Sequence, residues 1–184
     1  RSGVTAKNPV LPVVALTPCF GTIDFGACLP PVGGDKTKCI PAMKYEFYEP
    51  AVFNLLSDFS SRYPDLPLLI SESGLATEVG ERRAEHVVRS LEQIALAREA
   101  GVDVRGYYHW SLYDNFEWAE GFEPRFGLFT VDYASYERTP TLGATVLGEV
   151  AKARELSSEQ RTTYGGLGPM TEETGAVIGD RCNL

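Results

Sequence analysis

Residues 68–76 read LLISESGLA: an apolar run, Leu68-Leu69-Ile70, stops at the carboxylate of Glu72 and then at Gly74. Short continuous apolar runs are strands buried on both faces, the pattern of a parallel sheet. In such sheets, side chains just past the carboxyl end of a strand leave the packed core and enter the mouth where chemistry is done. Glu72 stands at that position. A turn or helix N-cap glutamate would read the same way on spacing alone.

The elements around this stretch repeat the α/β pattern. Upstream, Val52, Leu55, Leu56 and Phe59 share one helical face, Pro50 suits a first turn, and Pro64 and Pro67 end the helix. Downstream, Ala84, Val87, Val88, Leu91, Ile94 and Ala95 form a stripe over 81–101, with Gly101 as the stop signal. A second strand is predicted over 102–110, then an aromatic loop over 111–138 with a short LFTVDY extension. Thr139-Pro140 is read as opening a third helix, with Leu142, Val146, Leu147 and Val150 on one face. Helix, strand, helix, strand, helix implies parallel strands joined by helical crossovers.

Two parallel strands cannot cover both faces of their sheet or satisfy its edges. A whole (β/α)8 barrel needs at least about 200 residues, and this sequence has 184. Either a small sheet gains strands from residues 1–43, or the chain is part of something larger. Residues 1–43 are punctuated by Pro and Gly and read as a long irregular loop. Residues 44–155 hold the β/α units, and 156–184 form a polar tail, expected to be extended or disordered.

Bulk properties remove several function classes. The net charge of −8 argues against a nucleic-acid partner. No apolar run approaches the roughly 20 residues that span a bilayer. The sequence starts Arg1-Ser2-Gly3 without Met, as a processed or truncated chain would. Cys19, Cys28, Cys39 and Cys182 lack zinc-site spacing. One disulfide plus free thiols is expected, with a slight lean to an extracytoplasmic compartment. No HExxH, CxxC or phosphate-cradling glycine loop occurs, so no metal or organic cofactor is expected.

A second carboxylate follows the second strand in WSLYDNFEWAEGF. There Trp110, Tyr113, Phe116, Trp118 and Phe122 surround Asp114, Glu117 and Glu120. Aromatic rings stack on the apolar face of a sugar while carboxylates accept hydrogen bonds from its hydroxyls. An aromatic core cluster with solvated acids would give the same composition. His86, on the second helix, is read as a rim residue, and His109 as packing behind the site.

The motifs themselves go further. LLISESG resembles the ITENG motif of glycoside hydrolase family 1, the β-glucosidase family. GVDVRGYYHWSLYDNFEWAEGFEPRFGLFTVDY, 101–133, resembles that family's GYFxWSLxDNFEWxxGYxxRFGLxxVD segment, and ERTPTLGA, 137–144, resembles its RxPKxSA. The resemblance implies a (β/α)8 TIM barrel in which the two strands here are the seventh and eighth. It implies a retaining β-glycosidase with Glu72 as nucleophile, acting on a small β-glycoside or oligosaccharide. β-Glucosidase activity is expected first, with tolerance for β-galactosides or β-fucosides. Trp110 would be the stacking floor, Glu117 the partner of the C4 and C6 hydroxyls, Trp118 the holder of the C3/C4 side, and Phe126 the wall. Glu117 itself, where the family's phospho-glycosidase branch carries Ser, implies an unphosphorylated sugar. Ser73 departs from the family's Asn.

The family's acid/base lies in an N-E-P motif, and no N-E-P occurs here. Tyr48-Glu49-Pro50 is a decoy: Glu49 opens a helix and reads as a first-turn glutamate favoured by the helix dipole. The acid/base and strands one to six are therefore expected on an amino-terminal part of the same enzyme, roughly 250–300 residues long. The alternative is a catalytically inactive member that binds sugars or a protein.

Overall fold

The computed structural model describes residues 36–43 and 45–174. A 3-10 turn, Lys36–Lys38, leads into β1 (Cys39–Ile40), which pairs antiparallel with β2 (Tyr45–Glu46). Helix α1 (Pro50–Arg62) starts with proline at its first position, where the missing N–H costs nothing. Strand β3 (Leu68–Ile70), helix α2 (Gly80–Glu99) and strand β4 (Val104–Tyr107) follow. β3 and β4 are parallel neighbours, with Leu69 opposite Gly106 and Ile70 opposite Tyr107. The hairpin β5 (Phe129–Val131) and β6 (Arg138–Pro140) precedes helices α3 (Leu142–Ala153) and α4 (Ser158–Tyr164).

The β3–β4 pair is covered on one face. Leu68, Ile70, Val104 and Tyr107 pack with Leu56 of α1 and with Ile94 and Ala97 of α2. On the other face Leu69 is 56% exposed and lies across Gly106, where an added Cβ would sit 2.3 Å from its Cδ1. A parallel strand pair bare on one face is the unit of a larger α/β sheet.

Helix α2 is the centre of the assembly. Its apolar stripe meets α1 on one side, and Ala84, Val87 and Val88 meet Val146 of α3 on the other. Residues 82–90 are buried without a break, polar side chains included: Arg82, Arg83, Glu85, His86 and Arg89.

Two stretches differ from the sequence reading. Thr139-Pro140 belongs to β6, and the third helix starts two residues later, capped by the Thr141 hydroxyl, which accepts from the Ala144 N–H. The tail after 156 is structured up to 174. Ser157 and Gln160 form a reciprocal capping box that starts α4. Beyond it, residues 165–173 lie along the polar side of α2. Arg89 donates to the carbonyls of Gly168 and Pro169, at 2.7 and 2.9 Å. Arg82 donates to Thr171 O at 2.5 Å, and Glu85 accepts from the Thr171 N–H and hydroxyl. These long-range bonds order a segment with little apolar content of its own.

Most of the expected 1–43 loop and the end of the tail lie outside the described residues. Cys39 is disulfide-bonded; the other three cysteines also lie outside them. Among the described residues no helix is long and apolar enough to cross a membrane.

Candidate active site

Glu72 lies two residues beyond the end of β3, exposed to solvent. The segments following β3 and β4 continue side by side. The Tyr108 N–H donates to Ile70 O and the Trp110 N–H to Ser73 O, both at 2.9 Å. Glu72 is thus held in the stretch that this pair of bonds encloses.

Trp110 carries the second half of the site. Its indole Nε1–H donates to Glu117 Oε1 at 3.2 Å, so ring and carboxylate are fixed relative to each other. Phe126 is buried with Leu75 and Ala76, and Trp110 packs on the same cluster. Trp118 opens a 3-10 turn, Trp118–Glu120, with φ +50°, and is 84% exposed. Trp110, Glu117 and Phe126 are therefore brought together beside the Glu72 segment, and Trp118 stands at the tip of the same loop.

Gly74 sets how closely these parts approach. A Cβ there would lie 1.7 Å from Trp110 O and 3.3 Å from Phe126 Cδ1. Backbone cannot yield by that much without moving one loop against the other. Gly74→Ala is expected to cost about 3 kcal/mol of stability. Thermal unfolding of the variant checks this.

Two other carboxylates serve the fold. Asp114 is buried; its Oδ1 accepts from the Gly127 N–H at 2.9 Å, and Arg125 approaches its Oδ2 at 3.4 Å. Glu49 is fully buried at the start of α1. It pairs with Arg89 Nη1 at 2.8 Å and Lys38 Nζ at 3.0 Å, and its side chain does not cap the helix. This is a stronger structural tie than the dipole contact expected from sequence.

His86 is not a rim residue. It is buried between the Phe47 and His109 rings, at 4.9 and 5.7 Å between centroids. His109 has its Nδ1 3.3 Å from the Tyr107 hydroxyl, which itself lies 3.4 Å from Ser73 O. Burial, then the Arg83 charge, pulls the His109 pKa down to about 4 from its ordinary 6.5. Burial, His109 and Arg83 hold His86 well below the usual range. Both rings are neutral in the folded protein at neutral pH.

The consequence for stability has a definite sign. The unfolded chain takes up the protons near pH 6.5 and the folded protein does not. The stabilisation is complete above pH 6.5 and is lost as pH falls towards 4, by on the order of 3 kcal/mol for His109. Unfolding midpoints between pH 6.5 and 4.5 should fall more steeply for the wild type than for His109→Gln.

The sequence reading missed Tyr45 and Arg83. Tyr45 packs on the cluster that carries Trp110. Burial, with the Glu117 carboxylate nearby, pushes its phenol above the usual range, so it stays protonated. Nothing in its local pattern marks Tyr45. Arg83 was findable: it precedes Val87 by four residues and so falls on the buried stripe of α2. Among the described residues no group of three or more His, Cys, Asp or Glu could hold a metal ion.

Comparison with known proteins matches residues 34–156 to the family model described as Glycosyl hydrolase family 1. The chain is 37% identical over 115 residues to a β-galactosidase of Sulfolobus acidocaldarius, covering 62% of this chain and 23% of that protein. It is 40% identical over 121 residues to a bifunctional β-D-glucosidase/β-D-fucosidase of Bifidobacterium breve, covering 59% and 25%. Among solved structures, a β-glycosidase from Pyrococcus horikoshii superposes with a TM-score of 0.64 at 42% identity, over 69% of this chain and 30% of that one. A hyperthermophilic β-glucosidase from Pyrococcus furiosus gives 0.63 at 38% identity, over 65% and 25%. The chain spans about a quarter of the length of the curated relatives it matches.

Proposed function

The chain belongs to glycosyl hydrolase family 1, and from that premise we propose that it supplies the nucleophile half of a retaining β-glycosidase. The observation that carries this reading is the pairing of an exposed carboxylate at the end of β3, Glu72, with the Trp110–Glu117 unit after β4. In this reading β3 and β4 are the last two strands of a (β/α)8 barrel. Their bare face, around Leu69 and Gly106, is the barrel interior.

The chemistry proceeds by two displacements at one carbon. A Glu72 oxygen attacks the anomeric carbon of a terminal β-glycosyl residue. The bond to the aglycone oxygen breaks as an acid protonates that oxygen, leaving a glycosyl ester on Glu72. Water, deprotonated by the same second group, then attacks the anomeric carbon and releases Glu72. The two carboxyl groups of a retaining pair stand about 5–5.5 Å apart. Trp110 supplies the stacking surface, Glu117 accepts sugar hydroxyls, and Trp118 and Phe126 bound the sugar's far side and wall.

The second carboxyl is proposed to come from an amino-terminal part of the same enzyme, with strands one to six. Glu49 does not serve, because it is buried and both its oxygens are committed to cations, Arg89 and Lys38. β-Glucosides are the first substrate class, with β-galactosides and β-fucosides next, in line with the names of the relatives.

The test is the stereochemistry of hydrolysis. The complete protein, given an aryl β-D-glucoside and followed by proton NMR, should release β-glucose first. Initial release of the α-anomer, or no turnover of any aryl β-glycoside, would contradict the reading.

A further inference from the structure

Arg83 lies in the first turns of α2 and is 1% exposed. Its Nη1 donates to Leu75 O at 3.0 Å, and its Nη2 donates to the carbonyls of Thr77 and Arg125, the latter at 3.0 Å. Leu75 and Thr77 belong to the segment that carries Glu72. Arg125 belongs to the segment that carries Glu117 and Phe126. The Thr77 N–H also donates to Arg125 O, at 2.9 Å. One guanidinium therefore joins the two loops that form the site.

The fold makes room for it. Gly143 of α3 faces the arginine stem, where a Cβ would sit 2.6 Å from Arg83 Cγ. Burying a cation against carbonyls costs several kcal/mol unless its donors are used. Here two nitrogens make three bonds while Nε has no partner, and the buried Asp114 carboxylate offsets part of the cost. A planar fork of fixed donors holds several acceptors at set distances, which a Lys ammonium on a flexible stem does less well.

We propose that Arg83 is a positioning residue that sets the distance between Glu72 and the Trp110–Glu117–Phe126 wall, a role that rests on the glycosidase reading above. Removing it leaves the sugar wall internally intact but displaces it relative to the attacking carboxylate. Misplacement by about 1 Å far from the chemistry can cost on the order of 100-fold in rate.

The experiment compares Arg83→Met and Arg83→Lys in the complete protein, at a temperature where circular dichroism shows each folded. The readouts are kcat and KM for an aryl β-glucoside and the rate of inactivation by a 2-fluoro β-glucoside. For Arg83→Met, kcat and the inactivation rate should fall about 10- to 100-fold, with KM changed less than about 3-fold. Arg83→Lys should recover part of the loss. A merely structural role would lower the melting temperature and leave kcat below it unchanged. Wild-type kcat in a folded Met variant overturns the proposal; if that variant does not fold, wild-type kcat in the Lys variant does so. Failure of the wild type itself to be labelled at Glu72 refutes the glycosidase reading instead, and is separately visible.

Discussion

Glu72→Gln should lower kcat for an aryl β-glucoside by about 10³- to 10⁶-fold, the range lost when an enzyme's nucleophile is removed. The amide keeps the shape of the carboxylate and loses the charge and the nucleophilic oxygen. The Trp110–Glu117 hydrogen bond is untouched by the exchange. Sugar affinity should therefore stay within a few-fold of wild type, measured by competitive inhibition or calorimetry with a glucose-like ligand. A variant that binds and does not turn over separates the nucleophile from the sugar wall.

Glu49→Gln should be the most destabilising of the conservative changes, by about 3–5 kcal/mol. The Glu49 carboxylate is buried between Arg89 and Lys38, and neutralising it leaves a buried guanidinium and a half-buried ammonium uncompensated. Arg89 also holds the carbonyls of Gly168 and Pro169, and Lys38 donates to Leu167 O. The loss should therefore loosen residues 165–171 along with the start of α1. Denaturant titration gives the magnitude, and amide exchange around 165–173 gives the place. A Glu49→Gln protein within 1 kcal/mol of wild type would remove this ion pair as the tie between α1, α2 and that segment.

The parts that were legible in the sequence are those with a local signal. The apolar run Leu68–Ile70 ending at Glu72, and the 3.6-residue stripe through Val87 and Ile94, place β3 and α2 within a residue or two of where they lie. The family motifs named Trp110, Glu117 and Phe126 at and after the end of the second strand, and the structure adds that the first two share a hydrogen bond. What was not legible depends on contacts far apart in the chain. Arg82, Glu85 and Arg89 look like one solvated helix face until the carbonyls and N–H groups of 168–171 and the Thr37 and Cys39 carbonyls are laid against them. The tail looked unstructured for the same reason, since its order comes from those bonds. Asp114 could be counted among the site's acids only while its bond to the Gly127 N–H was unknown.

The most direct measurement is peptide mapping of the complete protein after inactivation by a 2-fluoro β-glucoside. A single added glycosyl unit on the peptide containing Glu72 is the predicted result. A label on any other carboxylate, or turnover without a trapped intermediate in a fully active preparation, would contradict the role given to Glu72.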